Sequence, residues 1–194
     1  GFYGYSNLLG TDLPSYNSVN IRIYGTSNDF SSTTHGTACA EIIHDIAPEA
    51  TLCLTQPRTD IELGDAVNWC IAQGVRIINH SVAWYYNLGG LLNGTGFINE
   101  IVNDANSHGI IWVNSSGNYA TKHWSGFYND TDGDGYHNFP SGFNWNEIIN
   151  FGSGIDNQVQ LMWLDLWGSA TNDYNLYLYI DDLNVPIRLS ENNQ

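Results

Sequence analysis

Between residues 35 and 114 helical and extended patterns alternate, and this alternation restricts the possible fold more than any other feature of the chain. After His35, the residues Cys39, Ile42, Ile43 and Ile46 recur at helical spacing until Ala47-Pro48 ends the run. "TLCLT" (51–55) reads as a short apolar strand. Asp60 is placed to cap a second helix, with Val67, Cys70 and Ile71 as its inner stripe and Gly74 just past its end. "VRIINHS" (75–81) is the next strand. A third helix follows a glycine-rich loop, carries Ile98, Ile101, Val102 and Ala105 on one face, and stops at Gly109 before the strand "IIWVN" (110–114). Strands and helices in this order predict an α/β fold, a parallel sheet flanked by helices. Such sheets take their ligands at the carboxyl ends of the strands. Two segments are singled out by that rule, "HSVAW" (80–84) and "NSSGN" (114–118).

Near residue 124 the character changes, so the chain divides into 1–123, the α/β part, and 124–194, an acidic loop and a β-rich region. "VQLMWLDLW" (159–167) and "YNLYLYI" (174–180) alternate with period two around the turn-rich "GSATND" and predict an antiparallel pair. Five basic residues against twenty acidic ones leave a formal charge of -15. That field repels phosphate backbones and anionic membranes, which argues against nucleic-acid and membrane partners. No apolar run approaches the roughly eighteen residues of a membrane span, and "GFYGYSNLLG" at the start lacks the pattern of a signal peptide. Cys39, Cys53 and Cys70 fit no metal spacing, and each lies in an apolar segment as a small hydrophobe.

His35 stands where a helix begins, and a histidine there is either a cap or a catalyst. The helix dipole disfavours the imidazolium, which suits a ring that must accept a proton. Around it, "HGTACAEIIHDIAP" (35–48) resembles the histidine motif of subtilisin-like serine proteases, the subtilases: His-Gly-Thr, a small-residue helix, Ala-Pro, then a strand. "GVRIINHSVAW" is similar to that family's strand ending in Asn-x-Ser-Leu-Gly, and "GIIWVNSSGN" to the segment ending in its oxyanion-hole asparagine. The resemblance implies His35 as general acid/base, Asn118 as oxyanion donor, and Ser81, Val82, Ala83 and Trp84 as the edge that pairs with an extended peptide. An amide aimed at a developing oxyanion is worth about 3–4 kcal/mol in the transition state, a magnitude measured on a member of that family. Ala83 stands where the family usually has glycine, which crowds that edge.

The same likeness implies a catalytic aspartate after an apolar strand and a serine in a Gly-Thr-Ser-x-Ala turn, and neither pattern occurs in its expected place among these residues. The aspartate is expected just upstream of Gly1 and the serine beyond Gln194. Asp12 is the one rival within the chain, and it precedes Leu-Pro without a strand leading into it. The intact protein is thus expected to be a secreted endopeptidase with peptide or protein substrates and no organic cofactor, and these 194 residues alone to be inactive.

In "NDTDGDGYHNF" (129–139), Asp130, Asp132 and Asp134 alternate ahead of Gly135. They could wrap a calcium ion with the Tyr136 carbonyl as a fourth ligand, or form a solvated turn, since Ser141 stands where a bidentate glutamate would complete the motif. His123 and His137 flank the loop without zinc spacing. The region from 159 to 182 resembles the pre-peptidase C-terminal domains that accompany secreted bacterial proteases, which implies a β-sandwich-like insert. Trp163, Trp167 and the tyrosines are then sandwich core, or a platform for carbohydrate. The rival to a protease is a non-catalytic protein of the same fold, or a calcium-dependent binding or adhesion module. Oligomeric state leaves no mark in the sequence.

Overall fold

Four parallel strands and three helices realise the alternating pattern, in a computed structural model that describes residues 1–26, 30–83, 94–118, 122–148, 159–165, 169–179, 186 and 188–190. The order is β1 (Val19–Arg22), α1 (His35–Ile46), β2 (Leu52–Thr55), α2 (Asp60–Ala72), β3 (Ile77–His80), α3 (Phe97–Ser107) and β4 (Ile111–Asn114). β1 pairs with β2 in parallel, Val19 opposite Leu52 and Arg22 opposite Thr55. β3 pairs with β4 in parallel, Ile77 opposite Ile111 and His80 opposite Asn114. Among the described residues these are two separate two-stranded sheets rather than the one sheet expected. β1 itself was not legible: "VNIR" is four residues long and carries only two apolar side chains.

Each sheet has its own apolar core. Val19, Leu52 and Leu54 pack with Leu13, Phe30 and Ala40 of α1, and the ring of Phe2 stacks on Phe30 at 4.9 Å. The helix turns a smaller face inward than expected. Thr37 and Ala40 are buried and Ile43 packs beside them, whereas Ile42 and Ile46 are 60% and 81% exposed. Leu63 and Val67 of α2, Ile101 and Ala105 of α3, and Ile110 make the second core, against which Ile78 and Trp112 pack. The other face of β3–β4 carries Ile77, Ile111 and Val113, all exposed.

Local chemistry sets the helix ends. Thr59, not Asp60, caps α2: its hydroxyl accepts the Glu62 N–H at 3.1 Å, and the Glu62 carboxylate accepts the Arg58 N–H at 2.7 Å. Threonine wins because its Oγ reaches the third residue of the helix, while Asp60 is already inside it and only takes the Ile61 N–H. At the other end Gly74 adopts a φ of 70°, and the Val75 N–H returns to the Cys70 carbonyl at 3.0 Å, a turn that a residue with a Cβ resists.

The tail departs from expectation. Leu176–Leu178 (β5) does pair antiparallel, but with Arg188–Ser190 (β6), and the described residues 159–165 are not its partner. Residues 159–165 hold no strand, and 166–168 lie outside the described residues. Alternation marks a segment as fit for a sheet without choosing its partner. Asp165 Oδ2 accepts the N–H groups of Thr171 and Asn172 at 2.9 and 2.8 Å, within the stretch the sequence marks as turn-rich. Trp163 meets Tyr174 edge-on at 5.4 Å.

The chain groups into two compact units, Gly1–Ser116 with Trp163–Gln194, and Gly117–Met162. Composition had suggested a division at 123/124; by contacts Trp163–Gln194 goes with the first unit. The described part of the second unit contains turns and bends without helix or strand. Among the described residues no helix is long and apolar enough to cross a membrane.

Candidate active site

His35 is the first residue of α1, and its ring is exposed. It does not cap the helix. Nε2 lies 3.0 Å from the carbonyl oxygen of Ser81, forty-six positions away in sequence, just past β3. A carbonyl can only accept, so in the neutral ring the proton is on Nε2. Gly36 lets the opening of the chain sit against the entrance of α1. Its N–H donates to the Gly1 carbonyl at 2.7 Å, and a Cβ there would stand 2.7 Å from both that oxygen and the Phe2 ring. The opening residues are zipped to the helix entrance: Tyr3 N–H donates to Thr33 O, and the buried Thr37 hydroxyl to Tyr3 O.

The exit of β3 is tied sideways. Asn79 Nδ2 donates to Ser81 Oγ at 3.1 Å, the Ser115 N–H donates to His80 O at 3.2 Å, and the His80 ring bonds the Asn114 side chain. Burial depresses the His80 pKa, partly opposed by the Asn114 bond, so this imidazole stays neutral more readily than a free one. Ser81 is half-buried, Val82 and Ala83 are exposed, and Trp84 lies outside the described residues. Asn118 belongs to the second unit, is exposed, and follows Gly117, whose φ is 80°.

Also in the second unit, Asp130, Asp132 and Asp134 bring carboxylate oxygens within 4.8 Å of one another. Asp130 accepts the N–H groups of Gly133, Asp134 and Gly135, and Asp134 accepts that of Tyr136 at 2.9 Å. Asn138 and Asn144 close the ring of side chains by donating to Asp132 and Asp134. His137 Nδ1 accepts the Asn129 N–H at 3.0 Å, and its ring lies among Trp124, Tyr128 and Phe139.

A family model described as the subtilase family, Peptidase S8, matches residues 10–148. The chain belongs to the subtilases. No curated protein and no solved structure matches it. Membership implies a protease of the serine class for the intact protein, with peptides or proteins as substrates.

Within this subtilase, the bonds of the described residues give His35 two partners, Ser81 O and Cys39 Sγ at 3.9 Å, and no carboxylate. Asp12 sits exposed in a turn. Cys39 next to His35 was missed, although the spacing of four places both on one helix face. The three cysteines also differ in depth. Only Cys70 is buried, and burial raises its pKa to about 11, while Cys39 and Cys53 are half-buried.

Proposed function

We propose that these residues belong to a secreted subtilisin-like endopeptidase that hydrolyses peptide bonds through an acyl-enzyme. His35 takes the serine proton and returns it to the leaving amine. Asn118 donates its amide to the tetrahedral oxyanion, and Ser81, Val82, Ala83 and Trp84 hold the substrate backbone as an added strand. The observation that carries this reading is the exposed His35 ring with Nε2 3.0 Å from the Ser81 carbonyl. It sets a titratable nitrogen against the exit of β3, at the end of a parallel pair where ligands bind. The proton on Nε2 is in the wrong place for a base aimed at a hydroxyl. A carboxylate on Nδ1 would draw the proton to that nitrogen and free Nε2. In this reading that carboxylate is the family's aspartate, and no carboxylate of the described residues bonds His35.

We place calcium at the loop of the second unit, held by Asp130, Asp132, Asp134 and the Tyr136 carbonyl. The donors are all hard oxygens, and after three N–H bonds the Asp130 carboxylate keeps about one lone pair free, on Oδ2. Bound there, the ion offsets the charge of three crowded carboxylates.

The test uses the full-length protein and the 194-residue chain side by side. The full-length protein is expected to digest casein and react with a serine-directed fluorophosphonate, and His35→Ala to lower turnover on the order of 10⁴-fold. The 194-residue chain should digest nothing. Casein turnover by that chain, unchanged in His35→Ala, would overturn the assignment. An unreactive full-length protein points to the binding or adhesion role instead.

A further inference from the structure

The last residue pair of the β3–β4 ladder is held by side chains as well as backbone. Opposite each other stand His80 and Asn114, and Nδ1 of the ring lies 2.5 Å from Asn114 Oδ1. The amide is itself oriented, since its Nδ2 donates to the Ser115 carbonyl at 2.7 Å, which leaves Oδ1 as the acceptor facing the ring. Trp112 adds its indole N–H to the same oxygen at 3.4 Å, and its ring lies 5.2 Å from the imidazole. These contacts fix His80 as the tautomer protonated on Nδ1.

Beyond this pair the described residues of the two strands add only the Ser115 N–H on His80 O. Strands of four residues end in chains that would otherwise diverge, and Ser81 is the first residue released. Its carbonyl is the group that meets His35. We propose that His80, acting through Asn114, is a positioning residue that fixes where β3 ends and so the register of the edge from Ser81 to Ala83 on which a peptide is held. This rests on the protease reading above. His80 touches neither the substrate nor the reacting atoms. It acts by deciding where β3 ends, and an error of about 1 Å at such a point costs up to about 100-fold in rate.

Three variants of the full-length protease separate this role from simple packing. Asparagine can put an N–H where Nδ1 stands; glutamine places its amide further out, where Nε2 stands. His80→Ala and His80→Gln are expected to lower kcat/KM about tenfold for a peptide long enough to lie along the edge, mainly through KM. A single-residue ester, which makes no strand contacts, should change less than about twofold. His80→Asn should restore peptide turnover, and Asn114→Leu should reproduce His80→Ala, with the double variant no worse than either alone. Equal turnover of the peptide by His80→Gln and the parent enzyme overturns the proposal, as does a parallel loss on peptide and ester. A full-length protein that hydrolyses neither substrate in its parent form sinks the protease reading, and the positioning role with it.

Discussion

Between residues 52 and 110 the side chains that hold the chain are Leu, Val, Ile and Ala, nearly all of their surface gone from water. Between 129 and 144 they are Asp, Asn, Thr and His, bonded to backbone N–H groups and to one another at the surface. The first mode of cohesion is non-directional and cooperative. It orders long stretches of backbone, so that two residues as far apart as His35 and Ser81 can be brought within 3.0 Å. In the second mode each carboxylate orders its own few neighbours, Asp130 reaching no further than Gly135. A site that must hold its geometry through a reaction belongs on the first kind of framework, and one that gathers charge around a cation on the second.

The largest effect expected from breaking this contrast is in the apolar framework. Leu63 is 3% exposed between α2 and α3, and Leu63→Ala should destabilise the first unit by about 2–5 kcal/mol through lost transfer energy and the cavity left behind. Thermal unfolding followed by tryptophan fluorescence and hydrogen exchange would register it across β3, α3 and β4 together. Loss of protection confined to α2 would mean that the second core is not cooperative.

A smaller and local effect is expected in the second unit. Asp130→Ala removes the acceptor of three N–H groups, a loss of about 1–3 kcal/mol confined to the loop. Calcium sharpens the contrast. With calcium at about 100 times its Kd, the loop gains about 2.7 kcal/mol, and Asp130→Ala should abolish the gain. Amide exchange from 129 to 138, with and without calcium, reads both. Protection that calcium does not change would remove the ion from the loop and leave a hydrogen-bonded turn.

The helices and three of the four parallel strands were legible because their cohesion is periodic, with apolar residues recurring at helical spacing or filling short runs such as "IIWVN". His35 was legible through its motif, and its position bears on that reading because the small residues Gly36 and Ala40 let the helix entrance sit close to the opening of the chain. What escaped depends on contacts across long separations that no local pattern encodes. The pairing of 176–178 with 188–190 is one case, and the neighbourhood of Cys39 and His35 another, its spacing visible but its meaning hidden until Ser81 placed the ring. His80 escaped because a histidine at the end of an apolar strand carries no motif. Its role appears only once Asn114 stands opposite.

The smallest expected effect is a pH slope that belongs to the first unit. Burial lowers the His80 pKa below the ordinary 6.5, and the bond to Asn114 opposes that shift only in part. Below pH 6.5 the unfolded chain therefore binds a proton that the folded one refuses. The contribution of His80 to stability is complete above pH 6.5 and declines as pH falls through the folded value. A second decline follows below 4.5, where Glu62 operates. Its carboxylate is held below the ordinary range, first by the Arg58 N–H and then by the Arg58 guanidinium, so its stabilisation is present above pH 4.5 and lost as it protonates. Melting temperatures of the 194-residue chain between pH 7.5 and 3 should show both declines. His80→Asn, which keeps a donor for Asn114 but cannot titrate, should flatten the upper one and leave the lower intact. An upper decline that survives this substitution would come from another histidine or from the Gly1 amino group, whose pKa burial also lowers. The half-buried ring at the end of β3 would then have no part in the acid response.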